Sequence, residues 1–197
     1  MEQKDGLIPE QFKVLSGSAL KCIALVTMII DHIGVILLKN SNIVLLRTGM
    51  GPLTLYTLMR KIGRLAFPIY CFLLVEGFLH THDRRKYGLN LLIFALISEI
   101  PWNLEHTGAL HYTAQNVFFT LFLGYVGLCC IENFREDGWK QLGSLLVLMI
   151  VAMNLKADYG VGGFAFILVM YLLREQDRKS TRLNSSHRIA SRMPSSA

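Results

Sequence analysis

Charged residues are scarce in this chain of 197 residues. They make up 17% of it, whereas hydrophobic residues make up 52%, and the mean hydropathy is +0.41. Because several long apolar stretches recur, a polytopic membrane domain is favoured over a soluble globule. The first eighteen residues lack the apolar core and the small-residue cleavage site of a signal peptide. The first apolar stretch is therefore expected to stay in the membrane.

The four cysteines form no CxxC pair, and no histidine stands at a spacing that zinc sites use. All four lie in apolar stretches, which predicts buried free thiols. The glycine-rich segment 159–163 also lacks the Lys-Ser/Thr ending of a phosphate-binding loop. We expect neither a metal site nor a permanently bound cofactor.

Acidic residues are absent from the last twenty positions, which hold five of the 20 Lys and Arg residues. The rest of the chain has 15 basic and 14 acidic residues, so the formal charge of +6 does not indicate nucleic-acid binding. This Ser/Arg-rich ending resembles translated adaptor sequence. We predict a multi-span membrane domain over residues 1–176 and a disordered, non-native tail over residues 177–197. The native C-terminus is then expected to be missing.

The apolar stretches predict an all-α, polytopic integral membrane bundle of about six spans. The predicted spans are residues 19–38, 62–79, 87–102, 115–131, 142–155 and 159–173. Residues 53–60 are predicted to form a short interfacial helix. The loop with Arg84, Arg85 and Lys86 is assigned to the cytoplasm, since the loop after the third span has no Lys or Arg. This orientation puts the N-terminus inside and residues 39–61 outside, with some of the four basic residues of that region in the protein interior.

An acid and an imidazole stand next to each other within the first span, as Asp31 and His32. An acid at the centre of a span costs about 2.5–3.5 kcal/mol, so the pair indicates a buried reactive site. Lys21 precedes His32 by three helical turns, on the same face and about 16 Å away. Asp31 points about 100° round the helix from His32, so we expect it to pair with a cation of a neighbouring helix, Arg64 being the first candidate. The alternative is an ion pair that only joins two helices.

Four more polar residues are predicted at membrane depth, namely Glu76, Glu99, Asn116 and Asp158. For the three carboxylates, a structural role at a helix end competes evenly with a functional one. A neutral imidazole in a dry site can abstract a proton from an amine or hydroxyl, or briefly carry an acyl group. These residue types therefore suit group transfer at a membrane.

Five segments in this order resemble the successive blocks of the TraX family: LKCIALVTMIIDHIG, GRLAFPIYCFLLVEGFLHT, KYGLNLLIFALISEIPWNL, QNVFFTLFLG and ADYGVGG. The family is related to membrane acyltransferase-3 proteins, whose signature is a basic residue, ten intervening positions and a histidine. Lys21 and His32 have that spacing. The resemblance implies an acyltransferase of the bacterial inner membrane, surrounded by lipid, that uses acetyl-CoA or another acyl-CoA as co-substrate. The implied acceptor is a pilin N-terminus or another envelope component.

The resemblance also implies roles for particular residues. His32 would be the catalytic base or acyl relay, supported by Asp31, Arg64 and Lys21. The candidates for substrate binding are Glu76, Glu99, Asn116 and Asp158, which match motif positions although the resemblance does not fix their roles. Arg84, Arg85 and Lys86 primarily set the topology, and their second interpretation is binding of an anionic ligand such as acyl-CoA.

Two functions of other classes stay open. Intramembrane Asp, Glu and His residues also build ion pathways, so a small proton-coupled transporter fits the same spans. A non-catalytic component of a pilus or envelope assembly explains the spans as well, but it leaves the cost of Asp31 and His32 unexplained.

Overall fold

The computed structural model describes residues 16–38, 43–48, 51–107 and 114–190. Within these ranges the chain forms seven helices and one β-hairpin. They are α1 (Gly17–Leu38), β1 (Val44–Thr48), β2 (Gly51–Thr54), α2 (Leu55–Gly63), α3 (Ala66–His80), α4 (Arg84–Thr107), α5 (Val117–Asn133), α6 (Gly138–Leu155) and α7 (Gly160–Ala190). The predicted all-α class is confirmed. The predictions for the N-terminal segment 1–15 and for residues 191–197 lie outside the described residues.

Four segments of the described chain are long and apolar enough to cross a membrane: Gly17–Leu38, Leu55–His80, Arg84–Leu104 and Gly138–Leu155. Helix α5 is also apolar, and its 17 residues are at the short end of the range for a span. Each of the six predicted spans coincides with one of these helices or with the apolar first half of α7. The protein is an integral membrane protein.

The chain divides into two compact units, Met1–Glu76 and Gly77–Ala197. In the first unit α1 packs against α2. A Cβ added at Gly34 would lie 2.9 Å from the Cβ of Met59, and one added at Gly63 would overlap Asp31. Because the earlier residue of α1 meets the later residue of α2, the helices run antiparallel. The two glycines permit this close approach.

The hairpin between α1 and α2 was not predicted from the sequence. Val44 pairs with Thr54, and Thr48 pairs with Gly51. A helix does form in the segment that was predicted to be interfacial: α2 starts two residues later than expected and lies within the candidate span Leu55–His80. Thr54 caps it, since its hydroxyl accepts a hydrogen bond from the Thr57 N–H at 3.2 Å.

In the second unit α5 lies against α4, α6 and α7. This central position explains why many residues of α5 are buried. Gly124 and Gly127 face α7, where they pack on Ile167 and Phe164. The end of α3 contributes Phe78, whose ring makes edge contacts with two tyrosines, Tyr125 and Tyr171. A separate cluster of buried apolar residues joins α5, α6 and α7 through Leu123, Ala152 and Phe164.

Helix α7 continues to Ala190, beyond residue 176, where the composition predicts disorder. Its continuation is supported locally, because Lys179 pairs with Glu175 one turn earlier at 2.9 Å and because the Ser180 and Thr181 hydroxyls donate to the Asp177 carbonyl. Thus the ending is helical through Ala190 rather than disordered. That it is non-native sequence stays a prediction.

Candidate functional site

Asp31 forms an ion pair with Arg60 between α1 and α2. The carboxylate Oδ2 accepts a hydrogen bond from the Arg60 Nη1 at 2.5 Å, and the side chains are 21% and 38% exposed respectively. A hydrogen bond between two charged groups is about twice as strong as a neutral one. The pair therefore joins the two antiparallel helices at the position where the sequence predicted the reactive site.

Gly63 gives the Asp31 side chain its space. A Cβ at residue 63 would lie 2.5 Å from the Cγ and from the Oδ1 of Asp31, closer than side chains pack. Asp31 stands seven residues before the end of α1, about 10 Å along the axis. The pair thus lies nearer to the hairpin end of α1 than to the end that carries Lys21.

The prediction that Arg64 pairs with Asp31 is wrong, because Arg60 takes that position one turn earlier. Arg64 follows the last residue of α2 and is exposed. In region 39–61, Arg60 is half-buried and Lys61 is exposed, and the expectation that some of its basic residues lie in the interior stays a prediction. Of the other predicted catalytic residues, His32 is half-buried beside Asp31 and Lys21 is exposed.

Glu76 is half-buried on α3, in the last position of the first unit. The other three residues predicted to bind substrate belong to the second unit. Their catalytic or binding roles stay predictions.

Glu99 and Asn116 are in direct contact. The Asn116 Nδ2 donates to the Glu99 Oε2 at 2.7 Å and to the Ala95 carbonyl at 2.8 Å. The Asn116 Oδ1 accepts a hydrogen bond from the Phe118 N–H at 2.9 Å and so caps α5. The other Glu99 oxygen, Oε1, is buried and has no hydrogen-bond partner among the described residues. The amide of Asn116 thus ties α4 to the start of α5.

Asp158 lies near this contact through its backbone, in the turn between α6 and α7. Its N–H donates to the Gln115 carbonyl at 2.9 Å, and its carbonyl accepts a hydrogen bond from the Thr120 hydroxyl. Its side chain is exposed, and one carboxylate oxygen accepts from the Tyr159 N–H at 3.1 Å. Of the predicted substrate-binding residues, three are therefore brought to one end of the second unit.

Arg84, Arg85 and Lys86 form the first turn of α4, and the Arg84 side chain contacts two other helices. The Arg84 guanidinium lies 4.5 Å from the centre of the Phe78 ring and 3.6 Å from the Glu132 Oε2. Arg85 and Lys86 are exposed. The three basic residues therefore divide into one that packs on the bundle and two that face outward.

A cavity of about 150 Å³ opens beside Arg84, at the end of the second unit where α4 begins. One apolar residue, Leu79, lines it together with polar and charged residues: Glu132, Arg135, Tyr171, Glu175, Arg178 and Lys179. The acids are already partnered, since Glu132 accepts from the Tyr171 hydroxyl at 2.5 Å and Glu175 pairs with Arg135 at 2.5 Å.

The ionisable groups outside the spans are perturbed by their ion pairs. The Lys140 ammonium lowers the pKa of Asp137, helped by the backbone N–H groups of Lys140 and Trp139. Lys179, followed by Arg135, likewise lowers the pKa of Glu175. Among the described residues no group of three His, Cys, Asp or Glu side chains could hold a metal ion.

Sequence reasoning missed Arg60 and Gly63. The available signal for Arg60 was its place in a basic stretch next to the second span, but the pattern favoured Arg64 equally. The sequence carries no signal for Gly63, because its contact with Asp31 depends on how α1 and α2 pack.

Comparisons with known proteins agree with one family. The family described as TraX protein matches residues 16–192, which include most of the segment predicted to be a non-native tail. The chain is 29% identical over 163 residues to a probable fimbrial assembly protein FimC, serogroup H1, of Dichelobacter nodosus, covering 79% of this chain and 61% of that protein. It is 25% identical over 174 residues to an uncharacterized protein of Rickettsia prowazekii (strain Madrid E), covering 86% and 60%.

The chain thus spans about three-fifths of the length of these two relatives. No solved structure matches. The family match extends over nearly all of the chain, from the first residue described in the structure to beyond the last. The protein belongs to the TraX family.

Proposed function

We propose that this protein is a membrane acyltransferase that moves an acyl group from a cytoplasmic acyl-CoA, such as acetyl-CoA, to an amine of an envelope acceptor. The observation that carries the proposal is the half-buried Asp31–Arg60 ion pair next to His32, on a helix that can cross a membrane. A span that served only as an anchor would gain nothing from these groups, which are costly in a bilayer.

The acceptor is proposed from the family and from one relative's name. The relative from Dichelobacter nodosus is a probable fimbrial assembly protein, and the TraX resemblance implies acylation of pilin. A pilin N-terminal amine is therefore the first acceptor to test. Its nucleophilic nitrogen has the chemistry that an imidazole base can assist.

In the proposed reaction, a neutral His32 imidazole nitrogen takes the proton of the acceptor amine while the amine nitrogen attacks the thioester carbonyl. A C–N bond forms and the C–S bond breaks, and the leaving thiolate receives the proton from the imidazolium. An acyl relay on the imidazole is the two-step form of the same transfer. Asp31 orients the segment that carries His32 in either form.

The orientation is proposed from the charges of the second unit. Its cavity end carries Arg84, Arg85, Lys86 and Arg135, whereas the end with Asn116 carries Lys156 among the described residues. An excess of Lys and Arg is typical of the cytoplasmic side. This supports a cytoplasmic cavity end in a bacterial inner membrane, with the N-terminus inside, and makes Arg85 and Lys86 candidates for acyl-CoA contact.

The test is acyl transfer by the detergent-purified chain from radiolabelled acetyl-CoA to a peptide with a free N-terminal amine. His32→Ala should abolish labelling, and His82→Ala, at an exposed position before α4, should keep it. Equal labelling by the two variants would remove His32 from the mechanism. Absence of labelling with the unsubstituted chain would contradict acyl transfer to this acceptor.

A second function is proposed on the strength of Glu99, whose buried Oε1 has no partner in the described chain. An ionisable group of this kind within a candidate span also suits a proton-coupled pathway. Liposomes containing the chain would then show pH-dependent flux without acyl transfer, and Glu99→Gln would abolish that flux.

A further inference from the structure

We propose that Arg60 is the positioning residue of the Asp31–His32 segment. We also propose that Gly63, which has no side chain, leaves the space that the Asp31–Arg60 ion pair requires. The inference rests on the proposed acyl transfer and adds two residues to it. Neither would touch the substrate, because each acts through Asp31.

The geometry assigns Arg60 a directional contact. Its Nη1 reaches the Asp31 Oδ2 at 2.5 Å while both side chains are more buried than exposed. Contacts between charged groups are weakly screened when they are partly buried. The guanidinium is planar and its N–H groups are fixed relative to one another, so it holds a carboxylate in one orientation better than an ammonium does.

Fixing Asp31 fixes the direction of His32. The two residues are consecutive on α1, so their side chains keep an angular offset of about 100° around the helix axis. A rotation of α1 that moved the imidazole would therefore also move the carboxylate away from Arg60. Gly34 against Met59, three residues further along α1, is a second close contact that resists such a rotation.

Gly63 completes this arrangement, because Arg60 and Gly63 lie on adjoining turns of α2 and both meet Asp31. Any side chain at residue 63 would occupy the volume of the Asp31 carboxylate. The helix would have to shift by a fraction of an ångström or the ion pair would have to break. A displacement of about 1 Å at a reacting group can cost about 100-fold in rate.

The experiment compares kcat and KM for acetyl-CoA and for the acceptor peptide. Arg60→Gln should lower kcat about 100-fold with little change in either KM, because it misplaces the His32 segment and leaves the substrate contacts in place. Arg60→Lys keeps the charge without the planar fork and should recover about tenfold of that loss. Lys61→Gln, at an exposed neighbouring position on α2, is the matched control and should stay within about twofold of the unsubstituted protein.

Gly63→Ala should lower kcat in the same way, whereas Gly162→Ala, whose Cβ would meet open space, should not. Thermal unfolding in detergent of Asp31→Asn, Arg60→Gln and the double variant measures the pairing without any activity assay. The two single variants should each lower the unfolding temperature, and the double variant should lose no more than the larger single loss.

The outcomes separate this inference from the proposed function. Normal kcat in both Arg60→Gln and Gly63→Ala, with an active unsubstituted protein, overturns the inference alone. Additive thermal losses overturn the pairing. A chain that shows the thermal coupling but transfers no acyl group overturns the proposed function, and with it the positioning role.

Discussion

Replacement of Asn116 by alanine is predicted to destabilise the second unit more than any exposed asparagine would. The amide joins two helices, since it caps α5 through Oδ1 and donates through Nδ2 to Glu99 and to the Ala95 carbonyl of α4. Alanine removes the cap and the contacts with α4, and it leaves the Glu99 Oε2 without its side-chain donor. The Oε1 atom of the same carboxylate already has no partner within the described chain.

The magnitude follows from these two losses. A lost N-cap costs about 1 kcal/mol, and a buried charged acceptor that loses its hydrogen bond costs about 1.5–3 kcal/mol. We expect a total of about 3 kcal/mol. For a chain of this length each kcal/mol corresponds to about 2–4 °C, so the unfolding temperature should fall by roughly 6–12 °C.

The assay is thermal unfolding in detergent, followed by the helical circular-dichroism signal. Asn154→Ala is the matched control, because Asn154 is exposed and its amide donates to the Ile150 carbonyl of its own helix. It should be neutral or slightly stabilising, since alanine is the better helix former. Unfolding temperatures of the two variants within about 2 °C of each other would refute the two-partner role of Asn116.

A second substitution at the same position separates the cap from the donor. Asn116→Asp keeps an oxygen for the Phe118 N–H but puts a carboxylate against Glu99, where the amide donor now lies at 2.7 Å. We expect a loss at least as large as that of alanine, because two like charges then meet. A loss smaller than that of alanine would show that the two carboxylates do not meet.

Three further predictions concern packing and charge in the second unit. Gly124→Ala should destabilise it by about 1–3 kcal/mol through overlap with α7, whereas Gly143→Ala, in open space, should stabilise α6 by about 0.5–1 kcal/mol. Arg84→Ala should cost about 1 kcal/mol in chemical unfolding, and Arg85→Ala should change little. The folded-state pKa of Asp137 is lowered, so its ionised side chain stabilises the folded protein. This stabilisation is present above the unfolded pKa of about 3.9 and is lost as pH falls through the folded-state pKa. Amide exchange in the first turn of α6 should therefore accelerate in acid, and Asp137→Asn should remove most of that acceleration.

Much of the helical framework could be predicted because apolar runs separated by polar turns determine where spans begin and end. The second span is an example, since residues 62–79 were predicted and α3 covers Ala66–His80. The hairpin between α1 and α2 could not be predicted in the same way. Its strands are short and contain Gly51 and Pro52, residues that usually indicate breaks rather than strands.

The proximity of Glu99, Asn116 and Asp158 was only partly predictable. All three were recognised as polar groups in apolar surroundings, which marks a residue as unusual but does not identify its partner. These residues lie close together because α5 starts at the end of the second unit where α4 ends. The turn before α7 lies at that end as well. The hydrogen bonds also show that Asn116 has a structural task as a helix cap, beside any role in binding.

The choice between Arg60 and Arg64 shows where a periodicity argument stops. The two arginines are four residues apart, about one helical turn, so helical periodicity alone does not distinguish them. What distinguishes them is the offset between two antiparallel helices, and that offset is set by the glycines at 34 and 63, where the backbones approach. Moving α1 along its axis by one turn, about 5.4 Å, would bring Asp31 to a different arginine. A glycine on one helix that faces an acid on the next is therefore the feature that selects the partner of the acid.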